Sequence, residues 1–211
     1  LAAAREIQSA ESRADALSSL AGKSPELLPE ALAAAREIQS AARRANALSN
    51  LAHVLPESLP EALAAAREIE DEDYRAKALS CLAHVLPESL PETLAAAREI
   101  QHEPYRAKAL SCLADKLPPE LYSTALAAAR EIEDEYYRAY ALSCLADKLP
   151  PELYSTALAA AREIEDEDYR TDALSSLTDK LPPELYSTAL AAAREIRDEY
   201  YRAYALSSLA D

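Results

Sequence analysis

The chain is 211 residues long and half hydrophobic, which is enough to bury a continuous core. Its formal net charge of -15 argues against nucleic acid or an anionic membrane as partner, because phosphate binding needs a basic surface. The acid reads as a solubilising surface, with a preference for basic partners as the alternative.

The aromatic set is twelve Tyr with no Phe and no Trp, and the only glycine is Gly22. Ala, Leu, Glu and Arg dominate, a composition that favours helix over strand. Thirteen prolines fall at regular intervals, so they punctuate helices rather than forbid them.

From the first residue onward one phrase recurs. LAAAREI begins at Leu1, Leu32, Leu63, Leu94, Leu126, Leu158 and Leu190, with spacings of 31 and then 32 residues. A fixed period in this range marks a stacked repeat architecture. The expected fold is all-α: an α-solenoid of about seven stacked antiparallel helix-turn-helix repeats, in a single domain over residues 1–211. Copy one lacks the front half of its first helix, and copy seven stops before the expected Lys-Leu-Pro-Pro. Both ends of the array are therefore expected to be truncated and uncapped.

The early copies carry PESLPE, at 56–61 and 87–92, where later ones carry PPELYSTA, and their first helix is expected to start later, at Pro60 or Pro91. In the copy that opens at Pro119, helix A is predicted over 119–132. Pro119 sits at the first helical position, where its missing N–H costs nothing. Leu121, Ala125, Ala128, Ala129 and Ile132 fall on one face, while Ser123 and Arg130 point away. Glu133-Asp134-Glu135 makes an acidic turn with Asp134 as N-cap. Helix B is predicted over 136–149, burying Ala139, Leu142, Leu145, Ala146 and Leu149, and Pro150-Pro151 stop it. In every copy a Glu closes helix A and an Arg opens helix B. Glu131 is expected to pair with Arg138 across the turn, with Asp134 as a second partner. Gly22 marks a weakened helix end.

Variation between copies is concentrated at two exposed positions four residues apart at the start of helix B. They read Glu11/Asp15, Ala42/Asn46, Asp73/Lys77, Pro104/Lys108, Tyr136/Tyr140, Asp168/Asp172 and Tyr200/Tyr204. An i, i+4 pair shares a helix face, so stacking should align the pairs into a ridge. Asp73, Lys77, Lys108, Tyr136, Tyr140, Asp168, Asp172, Tyr200 and Tyr204 are the candidate partner-binding residues. Tyrosine suits such a role, being large, rather rigid and amphipathic. The alternative is that exposed positions drift. Tyr105, Tyr137, Tyr169 and Tyr201, one position along, are expected to be mostly structural.

Catalytic and cofactor signatures are not expected. One glycine cannot make a phosphate loop, and no nucleophile–His–acid set is present. Cys81 and His84 share a helix face but fall short of the four ligands of a closed zinc site. The acidic turns are solvated, with nothing to tune a pKa. Cys81, Cys112 and Cys144 are odd in number and spaced one per repeat, which points to a reducing, cytoplasmic setting. No signal peptide and no membrane-length apolar run is present. The absence of Met suggests a fragment of a longer protein.

The unit resembles the broad class of tetratricopeptide- and HEAT-like α-solenoids, although its period is not 34 and it lacks the tetratricopeptide Trp, Gly and Phe. The phrase LPPELYSTALAAAREIEDEYYRAYALSCLADKLPPE, residues 117–152, is more similar to near-identical repeats appended to bacterial signalling ATPases of the STAND/NB-ARC type. That resemblance implies a sensing or partner-binding arm without catalytic or cofactor-binding residues of its own. The expected function is a non-enzymatic scaffold for a protein or peptide; the alternative is self-assembly through uncapped ends.

Overall fold

A computed structural model describes residues 2–52, 59–83, 89–178 and 180–209. The described residues form fourteen α-helices and no strand. The chain divides into two compact units, residues 1–101 and 102–211.

The first unit holds α1 (Ala2–Arg5), α2 (Ala10–Ala21), α3 (Leu28–Arg36), α4 (Ala41–Ala52), α5 (Leu59–Arg67), α6 (Glu72–Ala83) and α7 (Leu90–Arg98). The second holds α8 (Glu103–Ala114), α9 (Tyr122–Arg130), α10 (Glu135–Ala146), α11 (Tyr154–Arg162), α12 (Glu167–Thr178), α13 (Tyr186–Arg194) and α14 (Glu199–Ser208). Within each unit the helices pack in neighbouring pairs, and the even-numbered helices also pack side by side, α2 on α4 on α6 and α8 on α10 on α12 on α14. The architecture is an α-solenoid of helical hairpins.

Short side chains make this stacking possible. Ala125, Ala128, Ala129 and Ile132 are fully buried, and across the hairpin Ala139, Leu142, Leu145, Ala146 and Leu149 are buried too. Alanine carries little side-chain bulk or entropy, so helices approach closely at small ordering cost. Sequence periodicity understated this core. Leu126, Ala141 and Tyr122 are also buried, because each helix is covered by both its hairpin mate and the next hairpin. The Tyr122 hydroxyl stays satisfied by donating to the Ala114 carbonyl at 2.7 Å, and Tyr154 repeats the bond with Ala146.

The helices are shorter than the apolar pattern predicts, for local reasons. Residues 119–121 form a 3-10 turn in which the Leu121 N–H bonds to the Pro118 carbonyl at 3.0 Å, since neither proline has an N–H to offer. α9 then ends at Arg130, and Ile132 closes onto Ala129 with another i→i−3 bond. α10 stops at Ala146 in the same manner, Lys148 and Leu149 closing onto Leu145 and Ala146 before the extended Pro150. The later start expected for helix A in the early copies is corrected: α5 begins at Leu59 and α7 at Leu90, each one residue before its proline, in the same register as α9 at Tyr122, four residues before the Leu of LAAAREI. Residues 56–58, 87 and 88 of the PESLPE segments lie outside the described residues.

Asp134 is the N-cap of α10, accepting from the Tyr136 and Tyr137 N–H groups at 3.0 and 3.3 Å; Asp198 caps α14 in the same way. The expected Glu131–Arg138 pair is corrected. Arg138 pins the turn through the backbone instead, donating Nη1 to the Ile132 carbonyl at 3.0 Å and Nη2 to Glu135 at 2.9 Å. The tight end of α9 leaves that carbonyl without an intrahelical partner, and the guanidinium supplies one. Asp134 is occupied by capping. The glutamates that close helix A pair with arginines of the preceding hairpin, Glu163 with Arg130 and Glu195 with Arg162, each at 2.5 Å.

The first residue of helix B does more than begin a helix. The Glu103 carboxylate accepts the N–H groups of Glu133 and Asp134, from the next turn, at 2.6 and 2.8 Å. Glu135 accepts those of Glu165 and Asp166, and Glu167 those of Arg197 and Asp198, all at 2.7–2.8 Å. Each also accepts from its own arginine three residues on, Arg106, Arg138 or Arg170. In the first unit Glu72 does the same with Arg75 and the Gln101 N–H. Copies one and two have Ala10 and Ala41 at this position. Their arginines, Arg13 and Arg44, reach forward to Glu37 and Glu68 of the following helix A instead.

Replacing Glu103 by Ala leaves two turn N–H groups without their acceptor and removes one of the acceptors of Arg106. The expected loss is about 1–2 kcal/mol in a urea unfolding experiment. Glu120→Ala, at an exposed site, should leave the midpoint unchanged.

Gly22 follows α2 with φ of -58°, an ordinary right-handed conformation, and an added Cβ would meet nothing nearer than the Ser19 carbonyl at 3.7 Å. No conformational need keeps glycine there. Gly22→Ala is expected to raise stability by about 0.5–1 kcal/mol, chiefly by restricting the unfolded chain. A thermal melt that fell would contradict this.

Candidate functional site: a tyrosine-lined groove

The outer face of each helix B is set by the inner one. With Ala139, Leu142 and Leu145 turned to the core, positions 136 and 140 of α10 must face out, and they do: both tyrosines are about half exposed. Their equivalents on α14, Tyr200 and Tyr204, are exposed as well. Side-by-side packing of α10, α12 and α14 then brings residues of three copies to one groove of about 360 Å³.

Its walls are aromatic: Tyr136 and Tyr140 from α10, Tyr169 from α12 and Tyr204 from α14. Tyr136 meets Tyr169 edge to face, centroids 5.5 Å apart, and Tyr137 at 4.9 Å. Edge-to-face contact of this kind holds rings in place without closing the space between them. The floor is Ala139, Ser143, Ser175 and Ser176, small residues that leave room above them. Their hydroxyls are partly engaged: Ser176 donates to the Asp172 carbonyl at 2.8 Å, and Ser208 donates to Ser175 at 3.2 Å. Tyr140 reaches back to Ser111 on α8 at 3.4 Å.

Asp172 is the one charged residue of the lining. Burial pushes its carboxyl up, and the charge of Asp168 one turn earlier adds to this. No Lys, Arg or His shares the lining, and no cation among the described residues pairs with that carboxylate.

The predicted ridge is thus divided. Tyr136, Tyr140, Asp172 and Tyr204 come together in the groove. Asp168 and Tyr200 lie outside its lining, with Tyr200 against Tyr201, centroids 5.4 Å apart. Lys108 is exposed on α8, also outside the lining. In the first unit Asp73 and Lys77 neutralise each other at 2.5 Å, and the Lys77 ammonium sits 5.0 Å from the centre of the Tyr74 ring. Tyr169, expected to be structural, is half-buried and forms a wall of the groove. Two signals could have found the groove floor. The residue five after the helix B arginine is Ser in all seven copies, and the next is Ser, Asn or Cys.

Cys112 and Cys144 are part-buried on this layer, Cys81 is exposed, and all three are free thiols. Burial pushes the Cys144 thiol up, away from reactivity. His53 and His84, and with His84 the Cys81–His84 pairing, lie outside the described residues. Among the described residues no cluster of three or more His, Cys, Asp or Glu is placed to hold a metal, and no helix is long and apolar enough to cross a membrane.

The chain matches no family model and no curated protein.

Proposed function

We propose that this chain is a non-enzymatic binding module that takes a protein or peptide segment in the tyrosine groove of α10, α12 and α14. The observation that carries the reading is the groove itself. Four tyrosines from three successive copies converge there over a floor of small residues, and three of them, Tyr136, Tyr140 and Tyr204, stand at positions where the copies diverge. A rigid scaffold with aromatic contact positions is a common way to bind a segment at low entropic cost. The resemblance to repeats of bacterial STAND-type signalling proteins agrees with a sensing arm of a longer chain. The free cysteines suit a reducing cytoplasm.

A panning experiment with a random peptide display library on immobilised protein tests this. Peptides are expected to be enriched, and to lose at least tenfold in affinity with Tyr136→Ser/Tyr140→Ser/Tyr204→Ser, while Tyr200→Ser leaves binding intact. Enrichment that ignored the triple variant would remove the groove as the binding surface.

A further inference from the structure

We infer that the groove is built for a cation: the ammonium or guanidinium of a lysine or arginine in the bound segment, held by Asp172 between the rings of Tyr136, Tyr140, Tyr169 and Tyr204. The inference rests on the binding role proposed for the groove and names the chemistry that the groove selects.

Three observations carry it. The first is an uncompensated charge. Asp172 is an exposed residue of the tyrosine-lined groove, Asp168 one turn earlier adds a like charge, and the lining supplies no basic residue. Several acidic side chains elsewhere in the array are engaged. The helix B glutamates clasp turns and arginines, the closing glutamates hold arginines, and Asp134 and Asp198 cap helices. A carboxylate with a like charge beside it and no cation in the lining is electrostatically complementary to an incoming cation.

The second is the aromatic wall. Tyrosine faces attract a cation within about 6 Å of the ring centre, and Lys and Arg are the side chains that use this. The same groove would gain little from an acidic segment, which would meet both Asp172 and the -15 charge of the whole chain.

The third is that the chain contains the filled version of the same arrangement. Asp73, Tyr74 and Lys77 of α6 occupy the positions of Asp168, Tyr169 and Asp172 in α12. In α6 the Lys77 ammonium lies 2.5 Å from Asp73 and 5.0 Å from the Tyr74 ring centre. The acid and the ring are retained in α12, but the lysine is replaced by a second acid, and the adjacent helices contribute Tyr140 and Tyr204 at the same register. A site whose internal cation has been exchanged for a carboxylate is complementary to an external one. A guanidinium suits the two-oxygen face of Asp172 best, through paired N–H donors and stacking on a ring.

The test uses the same display selection, with sequenced binders remade as free peptides and measured by calorimetry on the whole chain. The expected result is Lys or Arg in every groove-dependent binder, with at least tenfold loss when that residue is replaced by norleucine or citrulline. Asp172→Asn should weaken the same peptides at least tenfold. Asp172→Lys should abolish binding by restoring the internal cation of α6, with a thermal melt at or above that of the parent showing that the fold is intact. Binders that depend on the tyrosines yet lack a basic residue, or that tolerate Asp172→Asn, would overturn the cation and leave the binding role standing. If no binder depends on the tyrosines, both fall.

Discussion

In copies three to six one contact recurs: a carboxylate at the start of helix B grips the backbone of the following turn. Glu103, Glu135 and Glu167 each take two turn N–H groups and one guanidinium. These N–H groups belong to the segment between α-helices, where no intrahelical acceptor exists. The carboxylate therefore does two things at once. It satisfies donors that the close approach of hairpins would otherwise strip of water, and it fixes the rotation of one hairpin on another. The apolar core between helices is largely alanine and leucine, which excludes water but sets orientation weakly, so the directional information resides in the clasp.

The groove is a product of that fixed rotation. Tyr136, Tyr169 and Tyr204 lie on three different helices and are separated by 33 and 35 residues, yet they line one space because successive hairpins repeat one geometry. Variation can then be confined to side chains that face outward, while the layer beneath is held constant. Asp172 in place of Lys77 changes the charge of the site by two units without touching a core residue.

Much of the fold was legible in the sequence, because a repeat of 31–32 residues with proline stops leaves few ways to bury a stripe of Ala and Leu. Cap residues such as Asp134 could be read from local chemistry alone. The clasp could not. Its partners lie 30 and 31 residues apart, and a Glu three residues before an Arg looks like an ordinary helix pair. The Glu131–Arg138 expectation failed for a related reason: it joined two opposite charges that recur on either side of the turn, whereas the tight end of α9 presents a carbonyl to the arginine. The ridge was visible as variation, but its division into a groove and outlying positions depends on neighbouring helices. So does the conversion of Tyr169 from turn packing to groove wall.

The clasp reads peptide N–H groups and no side chain of the turn it holds. Glu133-Asp134, Glu165-Asp166 and Arg197-Asp198 are gripped alike although their first residues differ in charge. A junction of this kind is indifferent to which copy follows which. Copies can be duplicated, deleted or exchanged by recombination between near-identical stretches of coding sequence without a mismatched interface. The array can thus lengthen, shorten or shuffle its outward-facing residues while each clasped junction keeps the same contact.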